Sequence, residues 1–229
     1  MGSVKLYIPG ASYMKQRIGI IGTGDVGKAL AKGFLRHGHQ VMIGSRNADK
    51  LAALRSSIGQ ELATGTFKEA AAFAEIVVLA VKGTAAKEAI ASIGSAGLAG
   101  KVVIDTTNPI ADAPPVNGVL QFFTGRNESL LELLQQAAPS ARFVKAWNSV
   151  GSPHMDDPHF AGGKPTMFIC GNDEGAKGMV TAILRDFGWE AEDMGAAESA
   201  RAIEPLCQLW CIPGLRSNQW SHAFKLLKA

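Results

Sequence analysis

Six residues near the start of the chain combine three glycines at a spacing that suits a phosphate-binding turn. The sequence Gly-Thr-Gly-Asp-Val-Gly occupies residues 22–27, directly after the apolar run 17–21. Gly22 permits a tight turn, Gly24 lets the backbone approach a pyrophosphate, and Gly27 lets a following helix lie close to the strand. The first turn of such a helix has free N–H groups that attract an anion. The spacing and its setting predict a dinucleotide-binding turn.

The residues that follow the second apolar run indicate which dinucleotide is bound. Residues 40–43 are followed by Gly-Ser-Arg-Asn at 44–47. An NAD-selective site usually carries Asp or Glu about 20 residues after the glycines, whereas an NADP site has small polar and basic residues there. Arg46 can form charge-assisted hydrogen bonds with a 2′-phosphate, and Lys50 lies one turn into the next predicted helix. We therefore predict NADP rather than NAD, with Ser45, Arg46 and Lys50 at the 2′-phosphate.

A catalytic acid–base pair is not evident. Oxidation of an alcohol or a hydroxy acid requires a group that exchanges the hydroxyl proton, usually histidine, lysine or tyrosine. The histidines fall in predicted turns, in a loop rich in proline and aspartate, or near the chain end: His37, His39, His154, His159 and His222. Lys145, at the end of a predicted strand, is the best ionisable candidate, with pairing to an acidic neighbour as its alternative role. We therefore assign no catalytic residue.

Hydride transfer between a nicotinamide and a flavin-like ring needs little acid–base help, because both partners are cofactors that carry the chemistry themselves. The lack of an acid–base pair thus favours a cofactor-to-cofactor reductase. Apolar and aromatic residues could line the pocket of the acceptor ring, with core packing as their alternative role: Trp147, Leu206, Leu209 and Trp210.

The elements that must position these residues alternate along the chain. Apolar runs predict strands at 17–21, 40–43, 76–81, 102–105, 142–145, 166–170 and 190–194. Helices are predicted at 26–37, 48–58, 67–74, 85–93, 130–137 and 174–187, two of them opened by the capping boxes Thr66–Glu69 and Ser129–Glu132. The region 108–125 is predicted to be a loop over the ligand crevice, and helices are predicted at 197–209 and 217–227, separated by Pro213 and Gly214.

This alternation predicts an α/β fold of the Rossmann type, with a doubly wound, mainly parallel sheet and a small helical C-terminal region. We divide the chain into an N-terminal extension at 1–14, an NADP-binding domain at 15–195, and a helical region at 196–229 for acceptor and dimer contacts. A native start at Met14 is expected, because the preceding residues lack the features of a secretory signal.

Composition excludes several classes of protein. The 229 residues include 23 basic and 20 acidic ones, scattered without a basic block, so no nucleic-acid partner is expected. No apolar run approaches the ~20 residues of a membrane helix. The three cysteines have no CxxC spacing, so neither a disulfide framework nor a metal site is predicted, and Cys207 and Cys211 are expected to pack in the core. Because no disulfide framework is predicted, we expect the protein to lie in the reducing cytoplasm.

Six motifs, taken in order, resemble a known family. They occupy residues 22–27, 44–47, 105–109, 144–148, 170–173 and 193–195. Together they resemble the NADPH-dependent oxidoreductases that use the deazaflavin coenzyme F(420), and they are equally similar to the cytosolic reductase domain of the six-transmembrane (STEAP-type) metalloreductases. The resemblance spans about residues 15–209. It departs from the coenzyme F(420) enzymes at residues 82–83 and 206–215, which bear on the acceptor and not on the NADP site.

The resemblance implies roles for individual residues. The pyrophosphate would be held by Thr23, Gly24, Asp25 and Val26, and the 2′-phosphate by Ser45, Arg46 and Lys50. The ribose or nicotinamide half would contact Ala80, Val81, Lys82, Asn108 and Ala146. The acceptor pocket would include Trp147, Asn148 and Leu206. Members of this family are usually homodimers, so a homodimer is expected.

These observations predict an NADPH-dependent oxidoreductase that transfers hydride between NADP(H) and a flavin or deazaflavin, a small-molecule redox acceptor. An imine or carbonyl reductase of the pyrroline-carboxylate or β-hydroxyacid type is an alternative, although such enzymes build their substrate site on a longer region than residues 195–229 offer. A further alternative is an NADPH-binding sensor without turnover.

Overall fold

A parallel sheet of six strands forms the centre of the computed structural model, which describes residues 15–229; the predicted extension at 1–14 lies outside the described residues. The strands are β1 (Arg17–Ile21), β2 (Gln40–Gly44), β3 (Ala63–Gly65), β4 (Ile76–Leu79), β5 (Val102–Asp105) and β6 (Arg142–Lys145). Their order is β3-β2-β1-β4-β5-β6, and every neighbouring pair is parallel. All residues of β4 and β5 are buried, as expected of strands covered on both faces.

Helices cover both faces of this sheet, so the predicted doubly wound α/β fold is confirmed. They are α1 (Asp25–Arg36), α2 (Ala48–Ile58), α3 (Phe67–Phe73), α4 (Gly83–Ile93), α5 (Ser95–Leu98), α6 (Leu130–Ala137) and α7 (Glu174–Asp186). Side chains of α1, α2 and α7 share one core cluster, and those of α3 to α6 share the other. The predicted capping boxes are present: Thr66 and Glu69 open α3, and Ser129 and Glu132 open α6.

Two further strands, β7 (Thr166–Ile169) and β8 (Glu190–Asp193), pair in parallel with each other. One antiparallel bridge between Lys145 and Cys170 joins this pair to β6. The region 108–125 also folds back on itself, with an antiparallel bridge between Ile110 and Phe122. Across residues 15–229, we find no helix that combines the length and apolar character needed to span a bilayer.

The C-terminal region differs from the sequence prediction. A short 3-10 turn leads into α8 (Ala200–Ile203) and α9 (Pro205–Ser217), and α9 continues through Pro213 instead of breaking there. Because Gly214 has no side chain, the ring of Trp220 can pack directly against its backbone, at the position that a Cβ would occupy. The prediction of a helix at 217–227 is therefore wrong.

Pairing with β7 explains why the chain end is not helical. Asn218 adopts a left-handed conformation and ends α9. The Thr166 N–H then donates to the Phe224 carbonyl (2.8 Å), and the Leu226 N–H donates to Thr166 Oγ1 (3.0 Å). These bonds satisfy backbone groups that a helix would otherwise have used internally.

Candidate dinucleotide-binding cleft

A cleft opens at the carboxyl ends of β1, β4 and β5. It consists of two cavities of about 500 Å³ and 390 Å³, which share four lining residues: Gly24, Ala80, Val81 and Lys82. The strand order reverses between β1 and β4, and open parallel sheets bind ligands at this switch point. The two cavities therefore adjoin at this switch point and form one continuous cleft.

The glycine turn links β1 to α1 at the centre of this cleft. Gly22 has φ +121°, and a Cβ there would lie 2.3 Å from the Ala80 carbonyl oxygen. A Cβ on Gly27 would lie 2.2 Å from the Gly22 carbonyl oxygen. Gly24 begins α1 without any side-chain cap and has open space around its Cβ position. The first-turn N–H groups of α1 are therefore available to an anion.

Two alanine substitutions separate the packing role of this turn from its binding role. We expect G27A to lower the free energy of unfolding by about 1–3 kcal/mol, because the new methyl group would overlap the Gly22 carbonyl. G24A should cost less than about 1 kcal/mol, since alanine is a poorer N-cap than glycine but would meet no neighbour there, and it should weaken NADPH binding, because its methyl group would stand between the helix and the expected pyrophosphate. Urea denaturation and NADPH titration of both variants check this, and equal stability losses would contradict it.

The smaller cavity holds the predicted 2′-phosphate residues. It is lined by Ser45, Arg46 and Lys50, together with Gly22 and Thr23. Ser45 Oγ accepts the Asn47 N–H (3.0 Å), and Asn47 caps α2 by accepting the N–H groups of Asp49 and Lys50. The backbone that carries Arg46 and Lys50 is therefore fixed by local hydrogen bonds at the wall of the cavity.

A carboxylate that the sequence did not reveal is paired with one of these residues. Glu88 on α4 forms an ion pair with Arg46, with 2.9 Å between Glu88 Oε1 and the guanidinium. Both side chains are mostly exposed, at 61% for Arg46 and 69% for Glu88. The two residues are 42 positions apart, so only the orientation of α4 brings them together.

The larger cavity extends past Val26 to the residues that follow β4 and β5. Its lining includes Asp25, Thr106, Thr107 and Asn108, with residues 110–113 of the loop over it. Thr106 and Thr107 belong to the motif at 105–109 but were given no role at the cofactor, although their place directly after a buried strand could have indicated one. The structure thus brings all the predicted cofactor residues to the cleft except Gly27 and Ala146, which are buried beside it.

Asn108 and Asn148 bind each other at the inner wall of this cavity. Asn108 Nδ2 donates to the Asn148 carbonyl (2.8 Å), and Asn148 Nδ2 donates to Asn108 Oδ1 (3.1 Å) and to the Ile203 carbonyl (3.0 Å). Asn148 is only 4% exposed and is absent from the cavity lining. It therefore orients Asn108, whose amide keeps one donor and one acceptor site for a ligand.

The other predicted acceptor residues lie away from the cleft. Trp147 is 1% exposed, and its ring packs against Phe34 and Phe187 while its Nε1–H donates to the Met155 carbonyl (3.1 Å). Its backbone has φ +56°, so the chain turns after β6 and directs the indole into the core. Leu206 is half-buried on α9 and lines neither cavity.

Lys145 belongs to a buried ion cluster. Its ammonium lies 2.6 Å from Asp105 Oδ2, as an ion-pair contact, and 2.8 Å from Glu204 Oε1, and it donates to the Thr107 carbonyl (2.8 Å). Glu204 also accepts the N–H groups of Leu130 and Leu131 at the start of α6. Burial alone would lower the pKa of Lys145, but the two carboxylates outweigh it and the net shift is upward. Lys145 is thus a charged structural group and not a catalytic base.

The cysteines have no visible part in the site. Burial raises the pKa of the Cys170 thiol to about 12, so the thiol stays neutral. Cys207 is buried and Cys211 is partly buried, both on α9.

Comparison with known proteins agrees with this geometry. Residues 17–109 match the family model described as NADP oxidoreductase, coenzyme F(420)-dependent. The chain is 32% identical over 206 residues to Metalloreductase STEAP3 of Rattus norvegicus, covering 87% of this chain and 38% of that protein. It is 41% identical over 107 residues to the F(420)-dependent NADP reductase of Methanothermobacter thermautotrophicus, covering 42% of this chain and 45% of that protein.

A solved structure extends the similarity to nearly the whole chain. The crystal structure of a candidate F(420)-dependent NADP-reductase from Arthrobacter sp. FB24 has a TM-score of 0.87 and 28% identity, covering 93% of this chain and 100% of that one. The chain spans less than half the length of the curated relatives it matches. The resemblance seen in the sequence is confirmed: residues 17–109 match the family model of the coenzyme F(420)-dependent NADP oxidoreductases, and the fold of nearly the whole chain is similar to that of a candidate member.

Proposed function

We propose that this protein transfers hydride between NADP(H) and a flavin or deazaflavin acceptor. The observation that carries the proposal is the continuity of the cleft, which runs from Arg46 and Lys50, past the glycine turn, to Asn108. Cations at one end suit the 2′-phosphate, and free helix N–H groups at the centre suit the pyrophosphate. The remaining cavity at the carboxyl end of β5 suits the nicotinamide together with an acceptor ring.

Each part of the cleft then has a binding task. The α1 N–H groups hold the pyrophosphate, and Asn108, held by Asn148, offers one donor and one acceptor to the nicotinamide carboxamide. Residues 110–113 cover the cavity and exclude water from the reacting rings. When bound, the nicotinamide supplies or receives the hydride.

The ionisable residues of the larger cavity support a ring-to-ring transfer. Among the described residues that line the two cavities there is no histidine or tyrosine, and the two lysines, Lys50 and Lys82, are exposed to solvent. Asp25, Lys82 and Asp112 are the ionisable groups of the larger cavity, and Lys82 lies 3.9 Å from Asp112 with both side chains exposed. Reduction of a carbonyl would need a positioned proton donor, whereas transfer between two cofactor rings does not.

An anaerobic acceptor screen tests the proposal. The purified protein is mixed with NADPH and, separately, with FMN, FAD, a deazaflavin, a cyclic imine and a 2-oxoacid, and the NADPH absorbance is followed. We expect loss of absorbance with a flavin or the deazaflavin only. Consumption with the cyclic imine would replace the proposal with an imine reductase, and tight NADPH binding without consumption would replace it with an NADPH-binding sensor.

We also propose that the protein forms a homodimer in the cytoplasm. Exposed apolar side chains of α9 and of the 108–125 loop support this, namely Leu209, Leu215, Val116, Val119 and Phe123. Gln208 Nε2 donates to the Leu120 carbonyl (2.7 Å), so the helix and the loop form one continuous surface. An apolar surface of this kind is typical of an interface between subunits.

Light scattering of the purified protein tests the dimer. The wild-type protein should have twice the mass of 24.1 kDa, and the L209E variant should have a lower mass than the wild type. A monomeric wild-type protein would contradict the proposal of a dimer.

A further inference from the structure

We infer that Glu88 weakens the preference for NADP(H) over NAD(H), because it holds Arg46 until a 2′-phosphate displaces it. The inference rests on the proposed NADP(H) site and adds a specificity-determining residue to it. The position is one that the sequence does not suggest, since an acidic residue at an NAD site is expected at the end of β2, and residues 44–47 there are Gly-Ser-Arg-Asn.

The orientation of α4 brings Glu88 to the cofactor. The helix begins beside the cleft, where Lys82 and Ala85 line the smaller cavity. Glu88 lies three residues after Ala85, so the two share a helix face. Its carboxylate meets the Arg46 guanidinium at 2.9 Å, and Arg46 lines the smaller cavity together with Ser45 and Lys50. The chain thus supplies from α4 a carboxylate that an NAD-selective site carries on its second strand.

The charges decide how each cofactor would be received. A phosphate carries more negative charge than a carboxylate and matches the guanidinium fork, so it should take Arg46 from Glu88. Glu88 then loses its partner and faces the phosphate at close range, which opposes NADP(H) binding. A ribose 2′-hydroxyl leaves the ion pair in place and can donate a hydrogen bond to the carboxylate. Glu88 therefore weakens the preference for NADP(H) that Arg46 creates.

The size of the effect follows from the exposure of the pair. Exposed ion pairs are weak, and salt screens the repulsion between an exposed carboxylate and a phosphate. We therefore expect E88Q to bind NADPH about two- to fivefold more tightly at low ionic strength, and to bind NADH equally or more weakly. The gain for NADPH should shrink as salt is added.

Fluorescence titration of NADPH, NADH and 2′,5′-ADP with wild type, E88Q, R46A and the double variant tests this. E61Q is the matched control, because Glu61 is also exposed but lies just before β3, at the amino ends of the parallel strands and away from the cleft at their carboxyl ends. Tighter binding of NADPH and 2′,5′-ADP by E88Q, unchanged binding by E61Q, and a smaller effect of E88Q in the R46A background would support the inference.

Three results would overturn it, and they can be told apart from a failure of the proposed function. Weaker NADPH binding by E88Q would mean that Glu88 positions Arg46 for the phosphate. If E88Q bound NADPH and NADH more tightly by the same factor, Glu88 would not discriminate between the two cofactors. Unchanged NADPH binding by E88Q would remove the role of Glu88 and leave the NADP(H) site intact, whereas a wild-type protein that binds no NADPH would overturn the site and the inference together.

Discussion

Replacing Lys145 with methionine should lower the free energy of unfolding by about 3–5 kcal/mol, the largest loss that we expect from a single substitution in this chain. The ammonium is 0% exposed and lies between Asp105 and Glu204, which are themselves buried. Methionine would leave two carboxylates in the interior without a counter-charge. Urea denaturation of K145M and wild type measures the difference.

Lys28→Met is a suitable control, because the ion pair of Lys28 with Asp25 is exposed and should contribute less than about 1 kcal/mol. Because the pKa of Lys145 is raised in the folded protein, its contribution is fully present below the pKa of an unfolded lysine and is lost only as the pH rises through the raised value. The contribution of Lys145 to the stability of the wild-type protein should therefore be constant between about pH 6 and pH 9. A loss of less than about 1 kcal/mol would contradict the role assigned to the cluster.

Replacing Arg46 with alanine should weaken NADPH binding by about 10- to 100-fold and NADH binding by less than about twofold. The guanidinium is expected to form charge-assisted hydrogen bonds with the 2′-phosphate, a group that NADH lacks. Lys50 lines the same cavity and retains part of the attraction, so K50A combined with R46A should bind NADPH more weakly still.

Fluorescence titration of both cofactors with R46A gives the two ratios. Arg55→Ala is the matched control, since Arg55 is an exposed arginine near the other end of α2. Equal losses for NADPH and NADH would show that Arg46 does not read the 2′-phosphate. That result would not change the assignment of the glycine turn to the pyrophosphate, because the turn follows β1 and Arg46 follows β2.

The fold could be predicted where local signals and burial agree. The apolar runs at 76–79 and 102–105 are buried on both faces, and the capping boxes at Thr66 and Ser129 fix where α3 and α6 begin. Strand β3 was missed because its three residues, Ala-Thr-Gly, have no apolar pattern and are ordered by pairing with β2. The chain end has a helical composition, but contacts with Thr166 and Gly214 override that propensity.

The candidate site could be predicted as far as it depends on residues close in sequence to strand ends. The glycine turn, Ser45 and Arg46 follow β1 and β2 directly, so parallel pairing places them at one cleft. Glu88 could not be predicted, because its approach to Arg46 depends on how α4 lies across the sheet. Trp147 also follows a strand end, but its positive φ directs the ring into the core, a turn that the sequence does not reveal.

The ion cluster has a consequence for where the chain can be divided. Lys145 and Asp105 belong to the predicted NADP-binding domain, 15–195, whereas Glu204 belongs to the helical region, 196–229. Excision at residue 195 would remove one carboxylate, expose the ammonium, and leave the N–H groups of Leu130 and Leu131 without their acceptor. The isolated segment 15–195 would therefore be a poor choice for a transplantable cofactor module, and grafting this site onto another scaffold requires the C-terminal segment that contributes Glu204, between α8 and α9.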